Sequence, residues 1–314
     1  MDLLTLNDRP WKKDGYAFPR HLENPRGMVG PEERRCYYWL GKNWYSGKGF
    51  IVDAGAFLGA STYCFAAGVK DGGHGTYDGH PPIHAYDYFK VVDKYVGETI
   101  SKEFRPVEDG ESYLDIFEYQ TGRYHELITA HPGDFMKQKW TGDPIEILFI
   151  DIAKTQPLNS HAVGEFFAHL IPDRSVLVHQ DYYHCWHPYI HISMEFFDEE
   201  FELVDELVTH QSRVWRLTKP LPKSKIDRIR NYDLDETERN NLLEVAIEKS
   251  SAKMRPMLEL VKIWQLCIDK KWPDADVALR NFREKHDVFN RHELWAKQSF
   301  DVESHIAQKL DSGN

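Results

Sequence analysis

The residues in this chain whose spacing could do chemistry are acids and glycines gathered around a turn. From Gly49 to Thr62 the sequence reads Gly49-Phe-Ile-Val-Asp53-Ala-Gly55-Ala-Phe-Leu-Gly59-Ala-Ser61-Thr62. An apolar run ends in a carboxylate and spaced glycines, and helix-compatible sequence resumes from Ser61 to Val69. That pattern predicts strand, tight turn, helix. Glycines at such a turn adopt positive φ and let a ligand approach where a Cβ would block it, so the strand's carboxyl end reads as a ligand crevice. The G-x-G-x-x-G spacing of dinucleotide sites is absent; here it is Asp53-x-Gly55-x-x-x-Gly59. A carboxylate beside that turn repels a pyrophosphate and suits a cation. A second acid, Asp87, ends the run Ile83-His-Ala-Tyr-Asp87 and is followed by Tyr88 and Phe89. In a nucleoside site an acid here accepts both ribose hydroxyls and an adjacent ring covers the base. A helix cap is the plainer alternative for Asp87.

The acid-x-Gly-x-x-x-Gly form resembles the first motif of the class I S-adenosylmethionine-dependent methyltransferases, whose cofactor carries a sulfonium and an ammonium and no phosphate. The resemblance implies that Asp53, Gly55, Gly59 and Ser61 hold the methionine part and Asp87 the ribose. Tyr88, Phe89, Gly133 and Asp134 would then surround the adenine, although capping alone would also explain Asp134. Two further motifs carry the likeness. Asp151-x-x-Lys154 resembles catechol O-methyltransferase, where the acid ligates magnesium and the lysine takes the hydroxyl proton. Gln180-Asp181-Tyr182 resembles the Asp-Asp-Tyr of the macrocin-type sugar O-methyltransferases, and the segment from Gly27-Met28 through Thr62 is similar to that group as well.

If that fold holds, Asp151, Gln180 and Asp181 converge as two carboxylates and an amide oxygen, a set suited to Mg2+, which would lower the pKa of a substrate hydroxyl. The chain departs from the sugar enzymes in two places: Gln180 replaces one expected acid, and Ala153 stands where another would be. The proton acceptor is therefore open among Lys154, His179 and His184, with imidazoles titrating near neutrality. A solvated charge is the bland reading of Lys154. His184, His187 and His191 fall at helical spacing, and His74, His80 and His84 lie in or beside a glycine-rich loop; both groups read as exposed or substrate-facing rather than as metal clusters.

The elements that must position these residues follow from periodicity. A helix is predicted from Pro31 to Trp44, with proline at its first position and Glu32 and Glu33 at its positive end. Strands follow at 49–54, 83–89, 124–130, 145–150 and 175–178, with a helix from Ala60, a polar helical stretch over 90–122, and helices at 160–170 and 188–197. The run Ile145-Glu-Ile-Leu-Phe-Ile150 reads as a central parallel strand covered on both faces. Phe201 to Val208 and Arg213 to Leu217 read as an antiparallel hairpin. The resemblance extends over roughly residues 30 to 218 and implies an α/β fold, a doubly wound, seven-stranded, mostly parallel sheet. Residues 1–30 are expected to form an N-terminal arm or loose cap, 31–220 the S-adenosylmethionine-binding domain, and 221–314 a helical extension that serves dimerisation or covers the site.

Composition narrows the function classes. A chain of 314 residues, 41% hydrophobic and 28% charged, can bury a full core. Its net charge of −11 argues against general nucleic-acid binding, which draws on a basic surface. Cys36, Cys64, Cys185 and Cys267 form no C-x-x-C pair, so neither a zinc ribbon nor a disulfide framework is indicated. No apolar run reaches membrane-spanning length and the start of the chain has no signal-like core, so a cytoplasmic, soluble protein is expected. The resulting expectation is methyl transfer to a hydroxyl of a small molecule, a sugar or secondary-metabolite unit. Its rivals are a metal-independent methyltransferase with a histidine base and a methyltransferase-like binding or scaffold protein whose site has decayed.

Overall fold

The computed structural model describes residues 5–207, 211–286 and 293–311. Strands β1 (Phe50–Ala54), β2 (Ile83–Asp87), β3 (Ile128–Pro132), β4 (Ile145–Ile150), β5 (Val176–His179), β6 (Phe201–Leu207) and β7 (Ser212–Leu217) make one sheet in the order β3-β2-β1-β4-β5-β7-β6. The first five are parallel, with Val52 opposite both His84 and Leu148 and Ile147 opposite Val176. Strand β7 runs antiparallel to both β5 and β6. This is the sheet of the class I methyltransferase fold, as the resemblance implies. Every residue of β1 and β4 is buried, as the nearly continuous apolar character of central strands covered on both faces requires. Strand order reverses at β1, and such a reversal opens a crevice at the carboxyl ends of the strands.

Local boundaries differ from the periodicity in four places. The polar stretch over 90–122 is two helices, α3 (Lys94–Glu103), capped by Asp93 through Val96 N–H, and α4 (Leu114–Thr121). Strand β3 starts at Ile128, because Gly122–Leu127 coils into a 3-10 turn that buries Tyr124 against Tyr63. Helix α5 starts early, at Gln156, with Pro157 in its first turn. The first helix, α1 (Pro31–Trp39), widens into a π turn at Leu40–Trp44. Helix α2 (Ala60–Asp71), β1 and β4 fall where expected. The expected hairpin end at Val208 lies outside the described residues.

The chain forms two compact units, and neither boundary is the one that composition suggests. The first unit comprises the residues through Gln180 together with Glu199–Arg230. The amino-terminal segment belongs to it as packed structure, not as a loose arm: Trp11 and Leu22 are fully buried. Trp11 Nε1–H donates to the buried Asp205 Oδ2 at 2.9 Å, and Lys12 Nζ reaches Asp205 Oδ1 at 2.7 Å. Arg34 on α1 fastens the same segment by donating to the carbonyls of Leu22, Pro25 and Val29. Helix α7 (Lys223–Arg230) also stays with the sheet, where Ser160 Oγ on α5 donates to Ile229 O at 2.8 Å.

The second unit takes Asp181–Asp198 and the chain from Asn231 on. It contains α6 (Pro188–Phe196), α8 (Glu236–Lys249), α9 (Arg255–Ile268), α10 (Trp272–Lys285) and a last helix over Glu293–Asp311. Asp235 and Glu238 close a capping box at the start of α8. Lys249 at its end pairs with Glu195 on α6 at 3.0 Å, which ties α6 to the helical extension. Among the described residues no helix is long and apolar enough to cross a membrane.

Replacing Trp11 by alanine is expected to destabilise the protein by about 3–5 kcal/mol, the cost of emptying a large buried aromatic site. Trp11→Phe, which keeps most of the ring but leaves Asp205 one donor short, should cost about 1–3 kcal/mol. Denaturant midpoints of the two variants check both.

Candidate active site at the carboxyl ends of the strands

The turn after β1 is set by two glycines whose freedom is used by the protein itself. Gly55 has φ +104°, and a Cβ there would lie 2.7 Å from the Asp151 carbonyl carbon. Its N–H donates to Tyr86 O on β2, and Asp151 N–H donates to Ala54 O. Gly59 has φ +91° just ahead of α2, with space for a Cβ filled by Thr121 and Phe117 of α4. The close approach expected of a ligand is thus made first by the chain's own backbone. The turn, Ser61, Asp151 and the Gly27–Val29 segment line a narrow cleft. Gln120 on α4 holds the segment down, accepting from Arg26 N–H at 2.5 Å and donating to Arg26 O and Leu58 O.

Asp53 lies behind the wall of this cleft rather than on it. The carboxylate is fully buried; Oδ2 accepts from Ser61 Oγ at 2.8 Å and Thr62 Oγ1 at 2.5 Å, while Oδ1 has no hydrogen-bond partner. Burial pushes its pKa up to about 6, against the pull of the Thr62 and Ser61 hydroxyls, with Asp87 adding a smaller upward push. An unsatisfied buried acceptor is costly. Of this group, Ser61 and Gly55 reach the cleft, and Asp53 acts through the hydroxyls it orients.

Asp87 ends β2 beside this turn and is the hub of the second half of the site. Its Oδ2 accepts from Phe57 N–H at 2.9 Å; its Oδ1 accepts from Phe89 N–H at 2.8 Å and from Tyr113 OH at 2.7 Å. Asp87 therefore does not cap a helix. It ties the glycine turn to the loop after β2. Gly133 N–H, at the end of β3, donates to the Asp87 carbonyl at 3.0 Å, so Gly133 joins the same cluster. Asp134 caps the short turn Phe135–Lys137 through Met136 N–H, as the plainer reading expects.

Of the two rings expected to cover an adenine, only Tyr88 stands in the open, 45% exposed. Phe89 is a correction: a φ of +52° turns it inward, where it is 1% exposed and packs on Phe117 and Tyr113. It is a core residue.

The residues expected as a metal set at the fourth and fifth strand ends have partners of their own. Asp151 is ion-paired with Lys154. Gln180 N–H donates to Ile150 O at 2.9 Å, and its buried Oε1 has no hydrogen-bond partner. Asp181 belongs to the second unit, where its Oδ2 lies 3.9 Å from His187 Nε2. Among the described residues no group of three His, Cys, Asp or Glu could hold a metal ion. The Asp151 carboxylate, one of the expected ligands, is already neutralised by the Lys154 ammonium.

The histidines separate in the same way. His179 sits opposite Ile150, buried, with Nδ1 3.0 Å from Gln180 O. A carbonyl can only accept, so Nδ1 bears the hydrogen and Nε2 is the basic nitrogen of the neutral ring. His184 precedes α6 in the second unit and stacks on His187 at 5.2 Å. His84 is no loop residue; it lies on β2, bonded to His131 at 2.8 Å, and burial pushes its pKa down to about 4.

Sequence reasoning missed Thr62, Phe57, Tyr113 and Gln120. Thr62 sits next to the expected Ser61 and was within reach of the motif; the other three act through backbone groups or across the fold, and no local spacing marks them.

No protein-family profile and no curated protein matches the chain. Among solved structures it is similar to the O-methyltransferase NovP at 16% identity over 67% of this chain and 88% of that one, TM-score 0.42. It is similar to an O-methyltransferase from Bacillus cereus in complex with SAH at 12% identity, covering 66% and 94%, TM-score 0.39. The CcbJ methyltransferase from Streptomyces caelestis matches at 10% identity over 67% and 82%, TM-score 0.33.

The state of Asp53 gives a pH test. Its folded pKa is raised above the unfolded value, so its contribution to stability is fully present below about pH 4 and is lost as pH rises through about 6. Asp53→Asn removes that loss. The stability of the variant relative to the parent should rise by roughly 1–3 kcal/mol between pH 4 and pH 8, read from denaturant unfolding at both pH values. An unchanged difference would mean that Asp53 is not a strained buried acid.

Proposed function

We propose that the protein transfers the methyl group of S-adenosylmethionine to a hydroxyl of a small molecule, a sugar or secondary-metabolite unit. The observation that carries this reading is the pair of acids at neighbouring strand ends: Asp53 behind the glycine turn, where it accepts from Ser61, and Asp87 beside the turn, which it holds through Phe57 N–H. A buried, under-satisfied carboxylate next to a cleft favours a cation and disfavours phosphate. When bound, S-adenosylmethionine supplies a methyl group on a sulfonium, an electrophilic carbon whose leaving group departs as a neutral thioether.

The chain's own residues supply the rest. Gly55, Gly59 and Ser61 shape the methionine end of the cleft, with Asp53 fixing Ser61. Asp87 takes a ribose hydroxyl, and Tyr88, Gly133 and Asp134 flank the base. Attack on a sulfonium methyl needs an oxygen that sheds its proton as the new bond forms. His179 is the proposed acceptor of that proton, since its tautomer leaves Nε2 basic, whereas Lys154 is paired as a donor to Asp151. No step is assigned to magnesium. The choice of a small acceptor rests on the acidic charge balance, which disfavours nucleic acid.

Calorimetric titration with S-adenosylmethionine and S-adenosylhomocysteine should show micromolar binding. Asp87→Ala should weaken it by about 10- to 100-fold, the worth of a hydrogen bond to a charged group. Absence of binding to the parent protein would remove the enzyme reading and favour a scaffold. Given an acceptor, His179→Asn should lower turnover by about 10²- to 10⁴-fold while homocysteine-analogue binding stays within a factor of a few.

A further inference from the structure

The proposed ribose site contains a group that has no part in that reading. Tyr113 is 3% exposed and donates its phenolic hydrogen to Asp87 Oδ1 at 2.7 Å. It cannot be an incidental surface contact. Its ring stands edge-on to Phe57 at 5.6 Å and to Phe89 at 5.9 Å, and its own N–H donates to Phe89 O at 3.0 Å. Backbone and ring are held from both sides of the carboxylate. Burial, and after it the negative charge of Asp87, keep the phenol protonated, so toward this carboxylate it can only donate.

The capacity of Asp87 can then be counted. An ionised carboxylate has two oxygens and about four lone-pair positions, two on each oxygen. Oδ1 already accepts twice, from Phe89 N–H and Tyr113 OH; Oδ2 accepts once, from Phe57 N–H. One position is left, on Oδ2. A vicinal diol needs two acceptor positions to be read in full, and a carboxylate that offers both oxygens reads it so. Asp87 can do this only if Tyr113 withdraws, and the rings of Phe57 and Phe89 packed against it oppose that.

Resting on the cofactor reading above, we infer that Tyr113 determines the sugar specificity of this site: by occupying Oδ1 it leaves Asp87 able to recognise one of the two ribose hydroxyls. The other hydroxyl faces an oxygen with no position left. Tyr113 is a specificity residue, and it does not touch the reacting atoms. A purely structural role would give the opposite sign on substitution. If Tyr113 served to hold Asp87 in place for the ligand, its loss would weaken binding; if it occupies a position that the ligand could use, its loss strengthens binding.

Tyr113→Phe keeps the ring contacts and removes only the donor. The test is calorimetric titration of adenosine, 2′-deoxyadenosine, 3′-deoxyadenosine and S-adenosylhomocysteine into the parent protein and this variant. In the parent, loss of one hydroxyl should weaken nucleoside binding by about tenfold and loss of the other by less than about twofold. In Tyr113→Phe, S-adenosylhomocysteine and adenosine should bind about 3- to 10-fold tighter, and both deoxynucleosides should fall behind adenosine. Equal losses for the two deoxynucleosides in the parent, or unchanged or weaker binding of S-adenosylhomocysteine to the variant, would overturn the inference and leave the cofactor reading in place. If neither adenosine nor S-adenosylhomocysteine binds the parent protein, the cofactor reading itself fails, and this inference with it.

Discussion

The first unit is organised by a contact between two pieces of backbone. The turn after β1 passes so close to the end of β4 that Gly55 has no room for a side chain, since a Cβ would meet the Asp151 carbonyl group at 2.7–2.8 Å. Hydrogen bonds from Asp151 N–H to Ala54 O and from Gly55 N–H to Tyr86 O hold the ends of β4, β1 and β2 together at that point. Because strand order reverses there, the helices that follow leave by opposite faces of the sheet and a crevice remains. Every residue of the candidate site in this unit is placed relative to this contact.

Charge is arranged around the crevice in an unusual way for a protein interior. Asp53 is fully buried with one oxygen unsatisfied, and Asp87 nearby gathers three donors from three segments. Two carboxylates at adjacent strand ends raise the cost of ionising Asp53, which adds to the cost of its burial. A cationic ligand would relieve both. The same placement costs stability while no cation is present, and functional sites commonly retain local strain of this kind.

The amino-terminal segment completes the cleft from outside the sheet. Arg34 gathers three of its carbonyls, Gln120 grips Arg26 from both its N–H and its C=O, and Gly27 packs where a Cβ would lie 2.9 Å from Ala60. One wall of the cleft is thus built from residues far in sequence from the glycine turn. Its rigidity comes from hydrogen bonds to main-chain groups, which fix position without marking themselves in composition.

The strands, their order of appearance, the glycine turn and the acids at the ends of β1 and β2 were legible in the sequence because they follow local rules: apolar runs for buried strands, positive-φ glycines for turns, acids at strand ends. Gly133 was singled out only by the resemblance to the methyltransferases. What only the tertiary structure decided depends on partners distant along the chain. Trp11 is a core residue because Asp205, 194 positions away, takes its indole hydrogen. Phe89 is buried because its backbone adopts φ +52°, which no neighbouring residue type announces. Asp151 stands in a motif that resembles a metal ligand's, yet its carboxylate is ion-paired with Lys154. Sequence specifies which residues can do chemistry; whether a carboxylate is open, saturated or neutralised is set by the donors that folding brings to it, and those come from anywhere in the chain.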